Sequence, residues 1–272
     1  MLLANRIFTH MGLYRAGAAL RYFLFSRHSR GHGIHSPFVF RLVNNVFRNP
    51  IPSSINEKIG FVRQKMSANN TIIRVRDLGT GSFGSRGKER KIREIYRRSS
   101  IVPRYGKILY NIALMHAGND ILELGTSLGI STFYLAHASP GSRIVSMEGC
   151  PALANIAEKN LSEGRTGNVR FMVGDFDDSL AKIDLPGFSP SLVFVDGNHR
   201  KDPVLRYFRK IKELILPESV VIFDDINYSK EMQSAWHEIK SDPEVSVSID
   251  IFQMGLVFFR KRIEKQNYYI RY

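Results

Sequence analysis

A chain of 272 residues with 43% hydrophobic and 24% charged side chains has room for one α/β domain with a sizeable core plus an extension. Its single cysteine, Cys150, excludes an intramolecular disulfide and suits the reducing cytoplasm. The net charge of +14 favours anionic partners, whether nucleic acid, anionic lipid or acidic substrates, and charge alone does not choose among them.

The chain opens on MLLANRIFTHMGLYRAGAALRYFLF, where Arg6, Arg15 and Arg21 interrupt the apolar residues. No uninterrupted run reaches the roughly 20 residues that cross a bilayer, and the scattered charges do not make a secretory signal. Helix-like spacing predicts packing onto the protein's own body; the same pattern also describes a helix lying on a membrane surface. His28, His32 and His35 have metal-like spacing, but no cysteine or carboxylate lies close by to complete a zinc set, so they are read as loop or interface residues. A Pro/Ser break at 49–54 is followed by a glycine- and arginine-rich stretch. Within it, 75–82 holds a glycine pattern that leads into no apolar helix and reads as a loop. The run 86–98 is rich in Lys and Arg with two glutamates, Glu89 and Glu94. It is either a solvated helical face or a patch that covers the active site and recognises an anionic acceptor. Tyr96 is its one aromatic residue, fewer than RNA-binding modules interleave.

From about residue 101 short apolar runs alternate with helical patterns. The runs at 120–124, 143–147, 169–173, 192–195 and 220–223 read as buried parallel strands. Helices are expected at 130–138, 151–161, 176–183 and 203–216, and the run VSVSIDIFQMGLVFFRKR as a hairpin turning at Gln253, Met254 and Gly255. The expectation is a doubly wound α/β sheet over 101–262, a basic, mainly helical extension or lid over 1–100, and a short tail over 263–272.

The most informative stretch is 121–132: a buried strand, a glycine turn and the opening of a helix. It makes Glu123, Gly125, Thr126, Ser127, Gly129 and Ser131 candidate ligand contacts, because glycines permit close backbone approach and a helix start offers unpaired N–H groups. Twenty-three residues after Gly125 the second strand ends in Glu148 and Gly149, where a carboxylate can accept both hydroxyls of a ribose. The third ends in Gly174, Asp175 and Phe176, an acceptor for an adenine amino group beside an aromatic face. A dinucleotide site is the competing reading. Gly129 comes too late after Gly125 for G-x-G-x-x-G, so a pyrophosphate would lack its close-approach position.

The motifs ELGTSLGIST, SMEGCP, VGDF, LVFVDGNH and VVIFDDI together resemble the class I S-adenosylmethionine-dependent methyltransferases, and within them the O-methyltransferase branch of the catechol and caffeoyl-CoA enzymes and their bacterial relatives. The resemblance implies a Rossmann-like, seven-stranded, mostly parallel sheet whose last strand is antiparallel. It also implies S-adenosylmethionine contacts at Gly125, Ser131, Glu148 and Asp175. Ser127 departs from the broader superfamily, which often has a glycine there.

Strand four ends in Asp196, Gly197, Asn198 and His199, and strand five in Asp224 and Asp225. Two clusters of hard oxygens at one sheet edge suit a divalent ion such as Mg²⁺. The resemblance places Asp196, Asp224 and Asp225 at its ligand positions, although the third is often Asn in that family. Asp196 could equally contact the cofactor without a metal, and strand-end aspartates also cap helices. His199 is a candidate general base; catechol-type relatives carry lysine there. The expected partner is a small acceptor, with an anionic one compatible with the basic extension. RNA methylation or RNA binding on the same fold is the alternative, while the N/D-P-P-Y/F motif of many amino-methylating enzymes is absent. The phrase HGIHSPFVF resembles an extension of some bacterial methyltransferases, which could serve as a substrate lid or a homodimer contact.

Overall fold

The computed structural model describes residues 13–27, 31, 33–76, 88–183 and 185–272. Arg6, His28, His32, Arg86 and the glycines of 75–82 lie outside them. The extension comprises α1 (Leu13–Phe25), α2 (Pro37–Arg41) running into a π-turn (Leu42–Val46), α3 (Ser53–Ala68), the strands β1 (Ile72–Val75) and β2 (Lys88–Lys91), and α4 (Ile92–Ser99). The basic run is therefore not all helical. Lys88–Lys91 pairs antiparallel with Ile72–Val75 before the helix begins. Helix α5 (Pro103–Met115) leads into the sheet region.

There the strands are β3 (Asp120–Leu124), β4 (Ile144–Glu148), β5 (Val169–Val173), β6 (Pro190–Val195), β7 (Val220–Phe223), β8 (Val247–Asp250), β9 (Gly255–Phe258) and β10 (Gln266–Tyr269). Between them run α6 (Ile130–Ala138), α7 (Pro151–Glu163), α8 (Phe176–Ala181), α9 (Lys201–Leu214) and α10 (Lys230–Ser241). Their order across the sheet is β10-β8-β9-β7-β6-β3-β4-β5. Strands β3 to β7 pair in parallel, and β9 runs antiparallel to both β7 and β8. This is the expected Rossmann-like sheet with one addition. The tail supplies an eighth strand, β10, parallel to β8. Its residues alternate half-buried and exposed without an apolar run, so no hydrophobic signal marks it in the sequence. Among the described residues no helix is long and apolar enough to cross a membrane.

The central strands are buried on both sides, as parallel sheets require. On one side β3, β6 and β7 pack against α9 and α10. Helix α9 turns Val204, Tyr207, Phe208 and Ile211 inward, and begins two residues before the expected start, with Pro203 in its first turn. On the other side α5 and α6 cover the sheet, and Val39, Leu42, Phe47, Ile59 and Met66 of the extension join the same buried cluster. The extension is thus packed onto the sheet's own core. Asn111 of α5 ties the two together, donating to the Val46 carbonyl at 2.9 Å and the Asn49 carbonyl at 2.8 Å.

Those two bonds give a test of the packing. Asn111→Ala leaves the buried Val46 carbonyl without its donor, at an expected loss of about 1–3 kcal/mol in unfolding free energy. Urea denaturation measures it; an unchanged midpoint would mean the extension is not anchored there.

Candidate active site

The strand order reverses on either side of β3, whose neighbours are β4 and β6. Outside the carboxyl ends of these strands a crevice opens, the place where open α/β sheets hold ligands. Here it is a cavity of about 430 Å³. Gly125, at φ +104°, makes the crevice possible: a Cβ at that position would lie 1.9 Å from the Asp196 carbonyl oxygen. Ser127, Asn198 and Asp225 also take positive φ, of 49°, 54° and 54°. Such backbone is costly for residues with a side chain and collects at functional sites.

The candidate cofactor residues divide into two groups. Gly125, Ser127, Glu148, Gly149, Gly174, Asp175, Phe176 and Asp196 line the cavity. The buried carboxylate of Glu148 is held by the backbone N–H groups of Ser127, at 2.7 Å, and Cys150, at 2.8 Å. Asp175 accepts from the Asp177 N–H at 2.8 Å and caps α8, so the capping role and a place in the cavity wall coexist. The ring of Phe176 leaves no room for a Cβ on Gly197.

Glu123, Thr126, Gly129 and Ser131 do not line the cavity; they build what lies beneath it. Glu123 accepts from Thr132 at 2.6 Å and Ser146 at 2.5 Å, and burial raises its carboxyl above the usual carboxylate range. Thr126 bonds Ser146 at 2.5 Å, and Ser131 is buried toward Glu123. Gly129 starts α6 at φ +77°, and a Cβ there would press on Ala157 and Leu161 of α7. Its role is packing between helices.

At the other end Asp196, Asp224, Asp225 and His199 share the cavity wall with Tyr228 and Gln253. Burial, followed by the charges of Asp224 and Asp225, pushes the Asp196 carboxyl well above the ordinary range. Burial and then Asp225 do the same to Asp224. The Nε2 atom of His199 lies 3.8 Å from Asp196 Oδ1 and 3.9 Å from Asp225 Oδ2, and its ring centroid lies 5.4 Å from that of Tyr228. Among the described residues no three His, Cys, Asp or Glu side chains converge as a metal-binding group. The donor chemistry nevertheless fits a hard cation. Asp224 Oδ1 is buried with no hydrogen-bond partner among the described residues, and the charges of Asp224 and Asp225 act on Asp196.

Several contributors have no signature in the motifs. Arg15 of α1 reaches Asp225 Oδ1 at 3.3 Å and lies over the Tyr228 ring at 5.6 Å. Helix α4 lays Glu94, Ile95, Arg98 and Ser99 along the cavity, with Ser99 Oγ 3.2 Å from Ser127 Oγ. Arg76 and Arg90 add to the same wall. The i, i+4 spacing of Glu94 and Arg98 could have marked that face. Tyr207 lines the cavity from α9 and accepts from Asn198 Nδ2 at 3.0 Å.

The crowded carboxylates predict a pH effect. A carboxyl whose pKa is raised by folding keeps a proton that the unfolded chain has lost, so stability falls as pH rises from the unfolded pKa to the raised folded one. Asp224→Asn removes that proton linkage. Thermal melts in EDTA, from about pH 4 to about pH 8, are expected to show a flatter pH profile and a higher midpoint at neutral pH for the variant. A variant less stable than wild type throughout would contradict the account.

Comparison with known proteins points to methyltransferases. The family described as "Methyltransferase domain" matches residues 122–226. The chain is 32% identical over 130 residues to a catechol O-methyltransferase of Niastella koreensis, and 31% identical over 131 residues to one of Mycobacterium tuberculosis. Each match covers 47% of this chain and spans 58% of the relative's length. Among solved structures, the O-methyltransferase TomG of Streptomyces achromogenes, in complex with S-adenosylmethionine, superposes with a TM-score of 0.52 at 26% identity, covering 60% of this chain and 82% of its own. An O-methyltransferase from Bacillus cereus shares the fold, with a TM-score of 0.53 at 22% identity over 78% of this chain and 93% of its own. The segment 122–226 is thus similar to the methyltransferase domain family, and these relatives and solved structures that resemble the chain are O-methyltransferases.

Proposed function

We propose that the protein transfers the methyl group of S-adenosylmethionine to a hydroxyl of a small acceptor. The observation that carries this reading is one cavity with a ribose-type carboxylate, Glu148, at one end and the cluster Asp196, Asp224 and Asp225 at the other. Backbone N–H bonds from Ser127 and Cys150 fix the plane of the Glu148 carboxylate, whose oxygens can accept from ribose hydroxyls. Phe176 offers a ring face and Asp175 an acceptor to the adenine, while Gly125 lets the methionine portion approach the turn.

At the reacting end the acceptor oxygen bonds to the methyl carbon as the sulfur–carbon bond breaks, and the hydroxyl proton must leave. His199, whose Nε2 lies 3.8 Å from Asp196 and 3.9 Å from Asp225, would take that proton. Mg²⁺ held by Asp196, Asp224 and Asp225 would lower the hydroxyl's pKa and orient it. The positive wall of Arg76, Arg90 and Arg98 favours an acceptor that carries negative charge. The two curated relatives are named for catechol, so adjacent hydroxyls are the first acceptor chemistry to try. Buried, unpaired Cys150 suits the cytoplasm.

Methyl-labelled S-adenosylmethionine offered with a set of catechols, with Mg²⁺ or with EDTA, tests the proposal. Labelled catechol ether is expected with Mg²⁺. Asp196→Asn is expected to lower kcat by about 100-fold or more. Label appearing in RNA and in no diol would overturn the acceptor class, and full activity in EDTA would overturn the metal.

A further inference from the structure

Helix α1 has two unlike faces. Ala18, Ala19, Tyr22 and Ser26 are buried against the body. The Tyr22 hydroxyl donates to the Ile270 carbonyl at 2.5 Å, and its ring lies 5.3 Å from that of Phe252. Leu20 and Leu24, on the opposite side, are 63% and 67% exposed, and Phe23 and Phe25, on its two flanks at the end of the helix, are 55% and 66% exposed. Exposed Arg21 and Arg27 stand among them. Arg271 donates to the Phe23 carbonyl from the exposed tail and brings a third cation to this end of the helix. The helix LYRAGAALRYFLF contains no acidic residue.

Single apolar side chains on a surface need no explanation, but four large ones on one short helix form a patch. Apolar bulk interleaved with arginine is the composition of a helix that lies in the plane of a bilayer surface. With 13 residues, about 20 Å long, α1 cannot cross one.

We propose that α1 docks the protein onto an anionic lipid bilayer. Leu20, Phe23, Leu24 and Phe25 enter the boundary between headgroups and acyl chains, and Arg21, Arg27 and Arg271 meet lipid phosphates. A second copy of the chain is the other occupant to weigh, and charge argues against it. A two-fold contact through this face would set Arg21 and Arg27 against their own copies, with no carboxylate on the helix to face them. The net charge of +14 adds to that repulsion, whereas the same charges draw the chain to an anionic surface. This inference concerns binding alone and does not rest on methyl transfer.

Flotation of the full chain tests it, with vesicles of phosphatidylcholine mixed with phosphatidylglycerol and with vesicles of phosphatidylcholine alone. The wild type is expected to bind the mixed vesicles at least about tenfold better, and to lose that advantage at high salt. Phe23→Ser/Leu24→Ser should abolish binding and Arg21→Glu should weaken it, with melting temperatures unchanged because these side chains face solvent. Three results would overturn the proposal: no flotation of the wild type, undiminished flotation of the double variant, or a dimer that the double variant dissociates while neither protein binds vesicles.

Discussion

The ends of β3 and β6 meet at a distance that only glycine permits. Asp196 N–H donates to the Leu124 carbonyl at 2.7 Å, and its own carbonyl oxygen occupies the space where a Cβ on residue 125 would stand. This contact sits where the strand order reverses, so it brings the turn after β3 against the residue that opens the acidic end of the cavity. Glu148, on the far side of β3, then faces the same cavity as Asp196 and Asp224. A side chain at position 125 would part the two strand ends and separate the halves of the site.

The second constraint is electrostatic. In a chain of net charge +14, Glu123, Glu148, Asp196, Asp224 and Asp225 are concentrated at one sheet edge, where burial and mutual repulsion hold Asp196 and Asp224 toward their neutral forms. Arg15 offsets part of this by pairing with Asp225 from a helix 210 positions away in sequence. Glu123 is relieved differently, by the hydroxyls of Thr132 and Ser146. Sites built for ligands commonly carry such local cost, and the surrounding core must hold them in place. Here the core is continuous: the extension, α5, α6 and one face of the sheet share a single buried cluster.

Much of the sheet was legible because its signals are local. Buried parallel strands read as apolar runs, and the glycine turn at Gly125 with the carboxylate at Glu148 marks the strand ends whatever the rest of the chain does. What stayed hidden depends on contacts distant in sequence. Arg15 and Ser99 carry no motif; only folding brings them to Asp225 and Ser127. Strand β10 has no apolar run because it joins the sheet edge through backbone pairing. Glu123, Thr126 and Ser131 belong to the motif by position, but the strand and helix periods turn them inward, so proximity in sequence overstated their access to the cavity. The apolar face of α1 showed the opposite limit. Its spacing was compatible with packing and with a membrane surface, and the folded helix buries Ala18, Ala19 and Tyr22 while leaving Leu20, Phe23, Leu24 and Phe25 exposed.

Titration calorimetry of S-adenosylmethionine into wild type and Glu148→Ala addresses the central claim most directly, that this cavity is built around the ribose of that ligand. The account predicts one site per chain in the wild type and an affinity about 10- to 100-fold weaker in the variant, the cost of losing hydrogen bonds to a charged acceptor. No binding to the wild type, or equal affinity for both proteins, would contradict it.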